Sequence, residues 1–284
     1  MAGSFFHLWV AGRAFPLVFD SKGATNEMKA AFAAGSVGPD IGFFPGGPLT
    51  FSHRVHLERC GDFLRHLTQR ATGDVEQAFA AGWGLHVYTD VAVHPWVEAS
   101  VDELLRRGTL PAYRDLWHMR LEWGVDCRLL AGGSTDSLWS PKVHFPRRGA
   151  DSSLLGEVGR EFYGGDAEEE ALIRGGAATA RWLERIPKIL WWGGHTRVAG
   201  RAPNPIIALV FARLGRKVVG DWLERWSYFG DGAALARPIL PTDEVWSRVM
   251  GLGESALEQF CQGWKEGFAQ LGNPDLYRGE VGDD

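Results

Sequence analysis

Apolar residues along this chain recur three and four positions apart, which is the spacing of an amphipathic helix. No stretch shows the strict apolar–polar alternation of a half-buried strand, and no internal repeat is present. Helices are predicted over residues 5–14, 26–34, 53–70, 74–94, 101–107, 111–130, 166–186, 205–229 and 243–271. The pattern therefore predicts an all-α protein, built as a multi-helix bundle.

Glycine and proline set the predicted limits of these helices. Pro95 disfavours helical dihedrals at His94, so the helix over 74–94 is expected to end there. Residues 131–165 are rich in glycine, serine and charge without a sustained period, and a long loop is predicted for them. No linker divides the chain, so one helical domain is expected over residues 1–284, with additional helices over 166–271.

The predicted helix over 74–94 carries the first candidate chemistry. His86, Asp90 and His94 are each four residues apart, so their side chains project from one helix face. Their neighbours are apolar, and isolated charges are costly in such surroundings. A bound metal ion would explain all three residues, whereas a polar stripe on a helix surface is the structural alternative.

Other histidines and acids extend this candidate site. His118 and Glu122 are again four residues apart, and Asp40 lies in a glycine- and proline-rich loop. His7 and either His53 or His56 complete the set. Each has a structural explanation when it is taken singly, such as a buried core histidine or an exposed i,i+4 pair. Together they offer enough ligands for two ions, with Asp90 free to bridge toward a third.

Composition narrows the ligand chemistry and the partners. The chain has three cysteines and no CxxC pair, so histidine and carboxylate ligands are expected, in coordination that suits zinc or a similar ion. The net charge of −5 gives no basic footprint for nucleic acid, and no stable nucleic-acid partner is expected. No signal peptide or transmembrane run is recognised, so a cytoplasmic location is expected.

The order and spacing of these residues resemble those of a known family. The motifs are Gly38-Pro39-Asp40-Ile41, His56 with Gly61-Asp62-Phe63, Gly82 to His86 with Asp90 and His94-Pro95-Trp96, His118 with Glu122, and the opening FFHLWVAGRA around His7. They resemble the bacterial zinc-dependent phospholipase C family, which is related to the S1/P1 nucleases. The resemblance covers about the first 130 residues.

The resemblance implies an all-helical fold of the phospholipase C/P1 nuclease type with a multinuclear zinc cleft. One ion would be held by Asp40, His56, His86 and Asp90, a second by His94, His118 and Glu122, and a third by His7 and Asp90. In secreted members the third site also uses the backbone of an N-terminal tryptophan, which has no counterpart before His7 here. Two or three zinc ions are therefore expected, with other divalent metals as alternatives. His56 is preferred to His53 because its distance to Gly61 matches the family.

The predicted activity is hydrolysis of a phosphate ester by a metal-activated water. Clustered divalent ions lower the pKa of a bound water toward ~7, so no side-chain nucleophile is needed. Asp40 and Asp90 are the candidate catalytic carboxylates, Asp40 as a base or shared ligand. The substrate would be a small-molecule or lipid-headgroup phosphoester. Two alternatives stay open: the same cleft used for other chemistry on a small metabolite (hydrolysis, elimination or cyclisation), or a non-catalytic, zinc-stabilised helical protein.

Overall fold

Helices make up most of the described chain, which confirms the all-α prediction. The computed structural model describes residues 3–19, 23–44, 46–107, 114–131, 150–192 and 238–281. Its α-helices are α1 (Ser4–Val18), α2 (Asn26–Ser36), α3 (Leu49–Leu57), α4 (Cys60–Arg70), α5 (Asp74–Arg106), α6 (Arg114–Ala131), α7 (Ala150–Tyr163), α8 (Glu169–Trp192) and α9 (Asp243–Lys265). Two 3₁₀ turns, Pro39–Gly42 and Gly164–Ala167, and two short strands, β1 (Pro274–Asp275) and β2 (Glu280–Val281), complete the description.

Helix α5 is the centre of the bundle, and its closest neighbour is α2. Two glycines let these helices touch backbone to backbone. A Cβ at Gly35 would lie 2.1 Å from the carbonyl oxygen of Phe79, and one at Gly82 would lie 2.1 Å from that of Phe32. Any larger residue at either position would force the two helices apart. The close approach brings the end of α2 against the face of α5 that carries His86.

Helix α5 does not end at Pro95, so that prediction is wrong. It continues to Arg106 and absorbs the short helix predicted over 101–107. Proline removes one hydrogen bond from a helix, the one that its N–H would donate to the carbonyl of Val91. Gly279 approaches this carbonyl from outside, since a Cβ there would lie 2.7 Å from the Val91 oxygen. Tertiary packing has therefore overridden the local preference of the residue before proline.

The long loop predicted over 131–165 is also wrong in its second part. Residues 150–163 form α7 and residues 164–167 a 3₁₀ turn, whereas 132–149 lie outside the described residues. Leu154, Leu155 and Val158 are buried and follow a helical spacing, and Phe162 packs against Phe63 of α4 at a centroid distance of 5.5 Å. The helical period of these apolar residues is hard to recognise in the sequence, because glycines and charged residues are frequent in the segment. The predicted helix over 205–229 likewise lies outside the described residues.

The predicted helix over 53–70 is divided, and the predicted helix over 243–271 is shorter than expected. Helices α3 and α4 are separated at Arg59, whose φ of 53° ends the helical path. Helix α9 ends at Lys265, and β1 and β2 then pair antiparallel, with Pro274 opposite Val281. None of the helices in the described ranges has both the length and the hydrophobicity that a membrane crossing requires.

Candidate metal centre

The structure brings together all eight site residues that the sequence nominated. They are His7 on α1, Asp40 in the 3₁₀ turn, His56 on α3, His86, Asp90 and His94 on α5, and His118 and Glu122 on α6. All eight are buried, and His118 is the most exposed of them at 8%. Charged and polar groups converge here in the interior of the bundle, where each must be compensated.

Asp90 lies at the middle of this cluster, and its two carboxylate oxygens face different sides. Oδ1 lies 3.2 Å from Nε2 of His7 and 3.6 Å from Nε2 of His94. Oδ2 lies 3.0 Å from Nε2 of His86 and 3.6 Å from Nε2 of His56. One carboxylate is thus in reach of four imidazoles, which is the placement that a bridging ligand requires.

The candidate ligand atoms fall into three groups, and within each group they lie within 4.8 Å of one another. The groups are His7 with His86 and Asp90, Asp40 with His56 and His86, and His94 with His118 and Glu122. In the second group Asp40 Oδ1 lies 3.3 Å from Nε2 of His56. His53 is in none of these groups, because its Nδ1 faces the phenol oxygen of Tyr277 at 2.6 Å.

Four of the five histidines are oriented through the ring nitrogen that points away from the cluster. Nδ1 of His56, His86 and His94 meets the carbonyl oxygens of Ser52 (2.7 Å), Ser36 (3.0 Å) and Leu276, and Nδ1 of His118 meets Oε1 of Glu98 (2.7 Å). These oxygens only accept hydrogen bonds, so each Nδ1 carries the proton. When these imidazoles are neutral, each Nε2 has a lone pair directed into the cluster, as in histidines that bind metal.

The residues fit a cation. Nε2 of His56 and Nε2 of His86 are 3.4 Å apart, so two lone pairs face each other. This separation matches two ligands each ~2.0–2.1 Å from a tetrahedral zinc ion. In the described part of the chain, both ring nitrogens of His7, both oxygens of Asp40 and Nε2 of His94 are buried without a hydrogen-bond partner. Bound cations would satisfy these groups, which are otherwise costly to bury.

Comparison with known proteins agrees with this geometry. A sequence model of the family described as zinc-dependent phospholipase C matches residues 6–155. The match spans more than half of the 284 residues and contains all eight clustered side chains. The chain belongs to this family. No curated protein and no solved structure matches the chain. Membership in the zinc-dependent phospholipase C family, together with the three ligand groups, supports zinc binding and a metal-dependent hydrolase.

Electrostatics in this phospholipase C-type centre favour an ionised carboxylate among imidazoles. Burial raises the pKa of Asp90, but the nearby His94 and His86 outweigh it and hold the pKa well below the ordinary range. Burial, reinforced by His86, lowers the pKa of His7. Burial also lowers the pKa of His86, but Asp90 and Asp40 outweigh it, so the net shift is upward. A metal ion therefore competes with a proton at His86.

The cysteines take no part in the centre. Cys60, Cys127 and Cys261 are free thiols, and none belongs to a ligand group found in the described residues. Burial raises the pKa of Cys60 to about 12, so it remains a neutral thiol that donates to the carbonyl of Pro274 at 3.1 Å. The donor set consists of nitrogen and oxygen atoms, as the sequence predicts.

Sequence reasoning missed the residues that support these side chains. Asp126 accepts hydrogen bonds from the backbone N–H groups of Phe6 (2.9 Å) and Phe5 (3.3 Å), and so caps the helix that carries His7. Glu98 binds His118 and is itself paired with Arg114 at 2.9 Å. Both acids continue the four-residue spacing, since Asp126 follows Glu122 and Glu98 follows His94. This four-residue periodicity is the feature of the sequence that could have identified Asp126 and Glu98 as supporting residues.

Proposed function

We propose that this protein hydrolyses a phosphate ester, in the manner of a phospholipase C-like phosphodiesterase, at a centre of two or three zinc ions. The observation that supports it most is the position of Asp90. Its two oxygens face separate sets of imidazoles, so one carboxylate can join neighbouring cation sites. Adjacent divalent ions suit phosphoryl transfer, because the attacking and leaving oxygens need stabilisation at the same time.

In this proposal the ligand groups have separate tasks. Asp40, His56, His86 and Asp90 would hold one ion, His94, His118 and Glu122 would hold another, and His7 with Asp90 would supply a third position. When bound, the zinc ions supply a water of lowered pKa and Lewis-acid sites for the phosphoryl oxygens. Asp90, ionised, would be shared between the sites. Asp40 is buried and neither of its oxygens makes a hydrogen bond to the described residues, which supports a role as the base for the attacking water or as a shared ligand.

The substrate is proposed to be a small-molecule or lipid-headgroup phosphoester. His118 is the one ligand whose side chain is more than 10% exposed, at 11%, whereas those of His7, Asp40 and Asp90 are fully buried. We place the entry for the substrate on the His118 side of the cluster. The side chain of Asp40 has no exposed surface, so bulk water is excluded from it.

The experiment is a substrate panel with zinc-loaded protein. p-Nitrophenylphosphorylcholine and bis(p-nitrophenyl) phosphate should be hydrolysed, and single-stranded DNA should not. Chelation should abolish turnover and added zinc should restore it. A protein that holds its full complement of zinc and hydrolyses neither ester would contradict the proposal, and would favour one of the alternatives with the same metal cleft. Hydrolysis of DNA would instead indicate nuclease activity.

A further inference from the structure

Residues 273–281, here called the C-terminal strap, lie far outside the matched residues 6–155 and yet contact the candidate ligands directly. The backbone of Leu276 is bound on both sides. Its N–H donates to the carbonyl oxygen of His56 at 2.8 Å, and its own carbonyl oxygen accepts from Nδ1 of His94. A single residue near the end of the chain thus joins α3 and α5 at two candidate ligands.

Hydrogen bonds within the strap, and one to α4, define the shape of the strap. Asp275 accepts hydrogen bonds from the N–H of Tyr277 through its carboxylate (2.9 Å) and from that of Gly279 through its carbonyl (2.8 Å), and these bonds close a tight turn. Asn273 accepts from the N–H of Asp62 at 2.9 Å and ties the start of the strap to α4. The position of the Leu276 carbonyl is therefore set by local hydrogen bonds as well as by His94.

Tyr277 extends the contact along α3. Its ring lies 5.4 Å from that of His56, with an angle of 34° between the planes, and its hydroxyl group is 2.6 Å from Nδ1 of His53. The tyrosine ring thus packs against the ring of His56, and the carbonyl of Ser52 accepts a hydrogen bond from Nδ1 of His56. His56 is held at three points: its Nδ1, its ring face and its backbone carbonyl.

Gly279 is the residue that lets the strap lie against α5. Its φ of +69° is in the region that favours glycine, and a Cβ there would lie 2.5 Å from Cδ of Pro95 and 2.7 Å from the carbonyl oxygen of Val91. Pro95 directly follows His94. The glycine therefore brings the strap onto α5 beside the histidine whose Nδ1 it binds.

We propose that the C-terminal strap is a positioning element of the metal centre, in which Leu276 fixes His94 and Tyr277 fixes His56 for metal binding. The inference rests on the proposed metal centre but not on its reaction. Hydrogen-bond partners of metal-binding histidines hold the tautomer and the ring orientation, and their loss costs about 10- to 100-fold in metal affinity. In this chain the partner of His94 comes from a segment 182 residues away in sequence.

The test measures zinc affinity by competition with a chromophoric chelator. Gly279→Ala places a methyl group where Pro95 and Val91 already lie, so the strap must move away from α5. We expect its zinc affinity to fall about 10- to 100-fold. Gly164→Ala is the matched control: its φ is +61° and no atom lies within 4 Å of the added Cβ, so it has the same backbone cost without the clash. Its zinc affinity should equal that of the wild type.

Hydrogen exchange of the full-length wild-type protein gives a second measurement that does not depend on the variants folding. Zinc binding should slow exchange at the Leu276 amide, because ligand binding and strap docking stabilise each other. Equal zinc affinity in Gly279→Ala and Gly164→Ala, or unchanged exchange at Leu276, would overturn the proposal. A wild-type protein that binds zinc in this way and hydrolyses no phosphoester would overturn only the proposed function.

Discussion

The two ends of the candidate centre are built differently. The inner groups, which contain His7, Asp40, His56, His86 and Asp90, consist of side chains with no exposed surface. The imidazoles of His56 and His86 are oriented by main-chain carbonyls of α3 and α2. The outer group, His94 with His118 and Glu122, is less completely buried, since His118 is 8% exposed. Its orientation depends on the Glu98 side chain and on the C-terminal strap.

This difference separates two ways of making a metal site. Helix packing orients most of the inner groups, and the strap adds contacts to His56 only, so a substitution in the helices that disturbs these groups must also disturb the fold. The outer group depends on contacts that single substitutions can remove while the bundle stays intact. We therefore expect a substitution that disturbs the inner groups to lower both the metal affinity and the stability of the protein. A substitution that disturbs the outer group should lower the metal affinity alone.

Asp90→Ala should have the largest effect, because Asp90 contacts both ends of the centre. We expect the zinc content to fall by at least one ion per chain, and turnover of the phosphoester to fall by about 10³-fold or more, since the ions supply several kcal/mol of transition-state stabilisation. Elemental analysis and steady-state kinetics measure the two quantities. Glu103→Ala removes an exposed carboxylate from the same helix and should leave both unchanged. Full zinc content and activity in Asp90→Ala would refute the bridging role.

Gly35→Ala tests whether helix packing shapes the inner groups. The added methyl group would lie 2.1 Å from the carbonyl oxygen of Phe79, so α2 must shift away from α5 and carry the Ser36 carbonyl away from His86. We expect the free energy of unfolding to fall by about 1–3 kcal/mol. The measurement is urea denaturation of the chelator-treated protein.

Gly251→Ala is the control for that substitution. Gly251 lies within α9 with no atom within 4 Å of an added Cβ, so alanine should stabilise the protein by ~0.5–1 kcal/mol. If Gly35→Ala is as stable as the wild type and binds zinc as tightly, the inner groups do not depend on the contact between α2 and α5.

Glu98→Ala should affect the outer group alone. Loss of the acceptor for Nδ1 of His118 is expected to weaken one class of zinc site about 10- to 100-fold and to leave the others unchanged. A chelator titration that separates the classes measures this. Glu98→Gln retains an acceptor oxygen and should recover most of the affinity. A uniform loss at every site would show that the two ends are not separable.

The sequence predicted the helical architecture and a set of candidate ligands that do lie together. Both predictions rest on local patterns, namely the period of the apolar residues and the four-residue spacing of histidines and acids. Side chains four residues apart on a helix share a face wherever the helix lies, as His86, Asp90 and His94 do. The partners of their Nδ1 atoms were missed for a physical reason. Main-chain carbonyls such as those of Ser36, Ser52 and Leu276 leave no side-chain signature, and only the tertiary fold selects them.

The errors in the helix limits have the same origin. Pro95 was predicted to end α5 from a preference of two adjacent residues, whereas Gly279, distant in sequence, packs against the proline inside a continuous helix. Residues 150–163 were predicted as loop because glycine and charge dominated a segment in which Leu155 and Val158 already mark a buried helix face. For residues 150–163, the helical period of the buried residues is better evidence than the composition. For Pro95, the tertiary contact with Gly279 outweighs the local preference of two adjacent residues.

Asp126→Asn tests how the two ends of the centre are joined. Asp126 follows Glu122 on α6 by one turn and caps α1, which carries His7 of the inner groups. Burial raises its pKa to about 8, against the hydrogen bonds from the N–H groups of Phe5 and Phe6, which favour the ionised form. An unfolded chain loses this proton near pH ~4, so the native state holds the extra proton between the two values. The stability that this proton contributes is therefore lost as the pH rises toward 8.

Asparagine has the shape of the protonated acid and does not titrate. The free energy of unfolding of the wild type, measured relative to Asp126→Asn in chelator-treated protein, should decrease by at most about 1.4 kcal/mol per pH unit between pH ~4 and ~8. Urea denaturation at several pH values across that window gives the slope. A difference that does not change with pH would mean that the α1 N–H groups keep Asp126 ionised. The cap would then join the two ends of the centre through charge rather than through a neutral hydrogen bond.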